Sequence, residues 1–256
     1  MTVSTILLEW AFSPNDFFEE TFELFPKDYD MKIEGGRASA TITEILFDTS
    51  PGIRECIQSH LESYFLGVQL FTRKLYELCG PSITRVHADG RREYSLVMSA
   101  VGHLHTASTL DVRLHDKDGN VIKDTRRDRV EKQKSFAGLV MKHRLNNPLL
   151  DSILRSNSMA MQDPNNELIH LYEIRDALSR HYQYRRSMLN ISDNDWSDFG
   201  RLCNDEPLLQ GRHRGKKYGA LREATNAELS RARDLAIIMI TAHLTFLESS
   251  SKTISK

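Results

Sequence analysis

Within "HLYEIRDALSRHYQYRR", residues 170–186, Arg175 and His181 stand six positions apart. A guanidinium and an imidazole are what phosphodiester chemistry needs. The first grips phosphate oxygens bidentately and neutralises developing charge. The second moves a proton near neutral pH. On a helical wheel of about 100° per residue, Leu168, Leu171, Ile174, Leu178 and Tyr182 form one apolar arc. Arg175 falls inside the span from Leu171 to Leu168, and His181 falls at the edge beside Ile174. An unpaired charge in such a position costs on the order of several kcal/mol. Glu167, Glu173 and Asp176 project from other faces, so the anion must come from another helix, a partner subunit or a phosphate. The plain alternative is an ion pair flanking the core.

A second cationic feature follows in "PLLQGRHRGKKYGALREAT", which carries Arg212, His213, Arg214, Lys216, Lys217 and Arg222 with no acidic residue between Pro207 and Arg222. Gly211, Gly215 and Gly219 mark it as a loop, and Tyr218 adds a ring. Cations release counterions from a nucleic-acid backbone, and rings stack on bases. The competing reading is a solvated loop, or one paired with Glu19 and Glu20.

Other chemistry finds less support. "DKDG" at 116–119 begins like a calcium loop but lacks the later ligands and the closing Glu, so it reads as a hairpin turn. His103 and His105 share a strand face, with His87 and His115 as possible neighbours, but no third metal ligand can be placed. No phosphate-binding glycine loop, dinucleotide fingerprint or nucleophile elbow occurs, and Cys203 has no base. No metal and no cofactor is expected.

The elements that must position these residues divide the chain near residue 125. Before it, strand signals dominate: "TVSTILLEWAF", a hairpin around Gly35-Gly36, "YSLVMSAV", and a second hairpin around Asp118-Gly119. One long helix interrupts them, opened by Ser50-Pro51 and closed by Gly80-Pro81, with Ile53, Ile57, Leu61, Phe65, Val68, Phe71, Leu75 and Leu78 at helical spacing. After residue 125 only helix signals appear. Asp163-Pro164 opens the helix bearing Arg175; Ser192 with Asp195, and Thr225 with Glu228, form capping boxes for two more. The expected fold is an α+β N-terminal part, an antiparallel sheet with one long helix, followed by an all-α helical bundle. The expected domains are 1–125 and 126–249, with a frayed tail at 250–256.

In this helical setting, Arg175-Asp176-x-x-x-x-His181 resembles the R-x(4–6)-H motif of HEPN domains. Many of these are metal-independent ribonucleases of defence or toxin–antitoxin systems. The resemblance covers about residues 126–249 and rests chiefly on this motif. It implies that His181 acts as general base or acid, that Arg175 stabilises the phosphorane, and that Asp176 orients one of them. It further implies a site shared across a homodimer of C-terminal helices, and a neutralising partner protein. A second spacing, Arg54 to His60, places its arginine in the first turn of a helix, with easy access to water, and is discounted. Two other readings stay open. One is a non-catalytic nucleic-acid-binding or regulatory protein of the same fold. The other is a small-molecule enzyme using the His103/His105 face.

Composition bounds these readings. The 256 residues are 40% hydrophobic and 27% charged, which suits a chain able to bury a core. A formal net charge of -1 means that any polyanion contact must be local. Cys56, Cys79 and Cys203 are few, unclustered and odd in number, which points to a reducing compartment and no disulfide frame. No signal peptide is recognisable, and no run approaches the roughly 18 apolar residues that span a bilayer. A cytoplasmic protein with RNA as partner and no membrane association is the expectation.

Overall fold

A computed structural model of the chain describes residues 4–95, 111–212 and 220–254. Two compact units emerge, one comprising Met1–Val68 with Lys74–Phe136, the other Gln69–Arg73 with Ala137–Lys256. The dividing line therefore falls inside a helix after Phe136, later than the change of character at residue 125.

The first unit is built on a six-stranded antiparallel sheet. Its central strand β1 (Thr5–Ser13) alternates, burying Ile6, Leu8, Trp10 and Phe12. β2 (Phe22–Leu24), β3 (Asp30–Glu34) and β4 (Arg37–Thr43) lie on one side of it. The β3–β4 hairpin turns at Gly35 and Gly36, both at positive φ, as the glycine pair predicts. Helix α1 (Glu44–Thr49), capped by Thr43, is a short addition that the sequence pattern did not announce.

Helix α2 (Ile53–Thr72) buries Ile57, Leu61, Phe65 and Val68, as its spacing predicts. Its end is a correction. The helix stops at Thr72 with Arg73 at φ +54°, and residues 77–86 form strand β5 (Glu77–Val86), paired antiparallel with β1. Leu75 and Leu78 match a helical period, but pairing with β1 outweighs that local signal. Gly80 marks a bulge, not a helix stop. At φ +118°, a Cβ there would lie 3.0 Å from the Glu9 carbonyl oxygen, where the β1–β5 register shifts.

Among the described residues, strand β6 (Arg92–Ser95) is the edge beyond β5, and it covers the start of the "YSLVMSAV" run. The rest of that run, with His103 and His105, lies outside the described residues. β7 (Arg113–His115) and β8 (Val121–Asp124) form the second expected hairpin. Asp116 accepts from the backbone N–H groups of Asp118 and Asn120, so "DKDG" is a self-capped turn.

The second unit is helical. It takes the end of α3 (Thr125–Arg144), then α4 (Pro148–Gln162), α5 (Glu167–Tyr182), α6 (Asp193–Gly200) and α7 (Asn226–Ile254). α5 packs between α4 and α7. α7 buries Ala232, Leu235, Ala236, Met239, Ile240, His243 and Leu244. It also runs to Ile254, through most of the stretch expected to fray. The Ser250 and Ser251 hydroxyls donate back to the carbonyls of Phe246 and Glu248 there. No helix among the described residues is long and apolar enough to cross a membrane.

Candidate nucleic-acid interface

Helix α5 enters through a short 3-10 turn, Pro164–Asn166, behind Asp163. Its arc of Leu168, Leu171, Ile174, Leu178 and Tyr182 is buried throughout. It ends at Tyr182, with Gln183 at φ +40°, and a 3-10 stretch carries the chain on through Leu189, so the opening motif is not one helix to Arg186. Helix α6 opens at its Ser192 cap, where the Asp195 N–H donates to the serine oxygen. Trp196 and Gly200, four apart, then share a face of α6.

Arg175 reaches that face. Its Nε donates to the Trp196 carbonyl at 3.1 Å, and one terminal nitrogen donates to the Tyr172 hydroxyl at 3.4 Å. The guanidinium carbon sits 5.0 Å from the Trp196 ring centroid and 5.7 Å from that of Tyr172. Gly200 closes the slot: a Cβ added there would lie 3.0–3.2 Å from the guanidinium. No carboxylate among the described residues lies within ion-pair distance of Arg175. Two further guanidiniums extend the stack, Arg212 at 5.1 Å from the Tyr172 ring and Arg186 at 5.2 Å from the Trp196 ring. Cation and ring thus alternate as Arg212, Tyr172, Arg175, Trp196, Arg186. Among the described residues, only Arg186 of these three carries a counter-charge, from Asp193.

After Gly200 the helix widens into a π-helical turn, Arg201–Asp205. Such turns interrupt the ordinary ladder and recur at functional sites. The carbonyl of Cys203 in this turn accepts from the Arg212 N–H at 3.0 Å. That bond brings the start of the basic loop back beside Tyr172. Cys203 itself is buried; burial pushes its thiol pKa up, against a smaller lowering by Arg175. It is not a poised nucleophile.

The other expected site residues are placed differently. Asp176 pairs with Arg180 at 2.9 Å, one turn on, rather than with Arg175 or His181. His181 is exposed, its ring 4.9 Å from that of Tyr182 and 6.2 Å from that of His243. Six residues advance a helix by about 9 Å and turn it by about 240°, so Arg175 and His181 of one chain meet different neighbours. Arg222 is held by Glu228 through two contacts, at 2.6 and 2.8 Å. His213, Arg214, Lys216 and Lys217 lie outside the described residues. In the rival Arg54–His60 spacing, His60 Nδ1 stands 2.5 Å from the Tyr29 hydroxyl and is engaged locally. Among the described residues no three His, Cys, Asp or Glu side chains group as a metal set.

Tyr172, Trp196, Gly200 and Arg186 are the site residues that sequence reasoning missed. Tyr172 was visible as the i−3 neighbour of Arg175. The others join through tertiary packing of α6, for which no local signal exists. Comparison with family models, with curated proteins and with solved structures returned no match to this chain.

Proposed function

We propose that the helical unit binds single-stranded RNA through its phosphate backbone at the Arg212–Tyr172–Arg175–Trp196–Arg186 stack, as a HEPN-like module. One observation carries the reading: Arg175 is fixed by a carbonyl and two rings, yet has no carboxylate among the described residues. A guanidinium held in place without a counter-charge is a preorganised anion site, and guanidinium geometry matches phosphate. Interleaved rings suit a single strand, whose backbone and bases are both accessible. Arg175→Ala and Arg212→Ala are each expected to weaken binding of a fluorescein-labelled oligouridylate about tenfold, the scale of one charged hydrogen bond. Unchanged affinity in both variants overturns the proposal.

A second reading adds cleavage. It is favoured by His181, which is exposed and has no hydrogen bond to either ring nitrogen among the described residues. In that reaction the ribose 2′-oxygen attacks phosphorus, the 5′-oxygen leaves, and a 2′,3′-cyclic phosphate forms. The imidazole takes the 2′-hydroxyl proton or delivers one to the leaving oxygen. The separate settings of Arg175 and His181 require two copies across a two-fold axis. His181→Ala then binds oligouridylate normally but loses cleavage, and a chelator changes nothing. A monomer by sedimentation at micromolar concentration, or a His181→Ala variant that cleaves as well as the parent, ends this reading.

A further inference from the structure

We infer that Gly200 is a positioning residue for Arg175: its missing side chain is what seats the guanidinium against α6. The inference rests on the reading of Arg175 as a phosphate contact. Gly200 stands at φ -61° and ψ -43°, ordinary right-handed helix. No backbone strain asks for glycine there, and glycine weakens a helix relative to alanine. What occupies the space of its absent Cβ is Arg175, with Cζ at 3.0 Å, one terminal nitrogen at 3.1 Å and Nε at 3.2 Å. Outside the backbone of its own helix, those are the three nearest atoms. The local helix loses stability by having glycine, and the guanidinium gains a seat.

The seat decides which edges of the fork are free. Nε is aimed at the Trp196 carbonyl, on the same helical face one turn before Gly200. The Nη1 edge touches the Tyr172 hydroxyl. Nη2 lies over the glycine with no hydrogen-bond acceptor among the described residues. A methyl group at position 200 forces the guanidinium outward. Because a long side chain can yield, the fold absorbs the change. A shift of a few tenths of an ångström lengthens the Nε bond, already 3.1 Å, and moves the two-nitrogen face presented to an anion relative to Arg212. Gly200 touches the cation, not the ligand, and its effect on binding passes through Arg175.

The test is a double-mutant cycle on the intact chain, read by oligouridylate affinity and thermal midpoint together. Gly200→Ala is expected to keep or raise the midpoint, as alanine suits a helix, while affinity falls about threefold to tenfold. In an Arg175→Ala background the same glycine substitution is expected to leave affinity unchanged and still raise the midpoint. Gly200→Ala that binds as the parent, while Arg175→Ala binds worse, removes the positioning role and leaves the phosphate reading standing. Arg175→Ala without effect removes Arg175 as a phosphate contact and this inference with it, and Arg212→Ala also without effect removes the phosphate reading itself. A Gly200→Ala loss of affinity that persists undiminished in the Arg175→Ala background shows that the glycine acts on something other than the arginine.

Discussion

His243 shows how much a single buried side chain can decide. It is fully buried on α7, its Nδ1 lies 2.7 Å from the Tyr182 hydroxyl, and its Nε2 lies 3.4 Å from the Asn147 side-chain oxygen. Burial, then the nearby His181 and His143, pushes its pKa down from 6.5 to about 4. A depressed histidine is neutral in the fold, while the unfolded chain still takes up the proton. Stability is therefore whole above about pH 6.5, falls as pH drops from there to about 4, and levels off below. The loss amounts to about 3 kcal/mol at full extent. Urea midpoints measured across that range should slope steeply for the parent and less so for His243→Gln; equal slopes would show that this histidine is not the group responsible. The hydroxyl that holds it comes from the end of α5, 61 residues away along the chain, and no local signal identifies it. The candidate site has the same limit. Arg175 was legible as a charge in an oily arc. Its seat was not, because Trp196 and Gly200 are near it only after α6 has packed.

Elements were legible where their signals were local. The N-terminus of α7 is one: Thr225 and Glu228 exchange bonds, with the Thr225 N–H donating to the carboxylate at 2.8 Å and the Glu228 N–H to the hydroxyl at 3.3 Å. Arg222 first, then Thr225, holds the Glu228 carboxyl at about 2, well below its ordinary 4.5. That contribution is present above pH 4.5 and disappears as pH falls to about 2. Glu228→Gln keeps an acceptor for the Thr225 N–H but removes the charge facing Arg222, and should lower stability by about 1 kcal/mol or less at neutral pH, with the difference vanishing in acid. A neutral-pH denaturation curve matching the parent's would mean that the charge adds nothing to the box. The end of α2 was illegible for the opposite reason. Its apolar spacing continues past Thr72, and only pairing with β1 makes 77–86 a strand. The division at residue 125 fared similarly. The chain does change from strand signals to helix signals there, but the helical unit also takes Gln69–Arg73, whose Arg73 bonds the buried Glu167 at 3.1 Å. Composition along the chain cannot show a piece borrowed from elsewhere in it.

For the whole molecule, net charge sets the form that the proposed RNA binding must take. At a formal -1 there is no general field to draw a polyanion in, so affinity depends on a few placed cations. Among the described site residues, Arg186 and Arg222 already face Asp193 and Glu228, which leaves Arg175 and Arg212 to meet phosphate. Each contact to a single strand contributes about 0.7 to the slope of log affinity against log salt. Two give a slope of about -1.4, far shallower than that of an extended basic groove. Arg214, Lys216 and Lys217 would steepen it by about the same increment each if they also touch backbone. Titrations of oligouridylate over a range of salt separate these cases. Arg175→Ala and Arg212→Ala should each flatten the line by one increment, and a Gln triple variant of the three loop cations should flatten it by one increment for every contact that the loop makes. A line that keeps its slope through all of these substitutions places the phosphate contacts on another face of the protein.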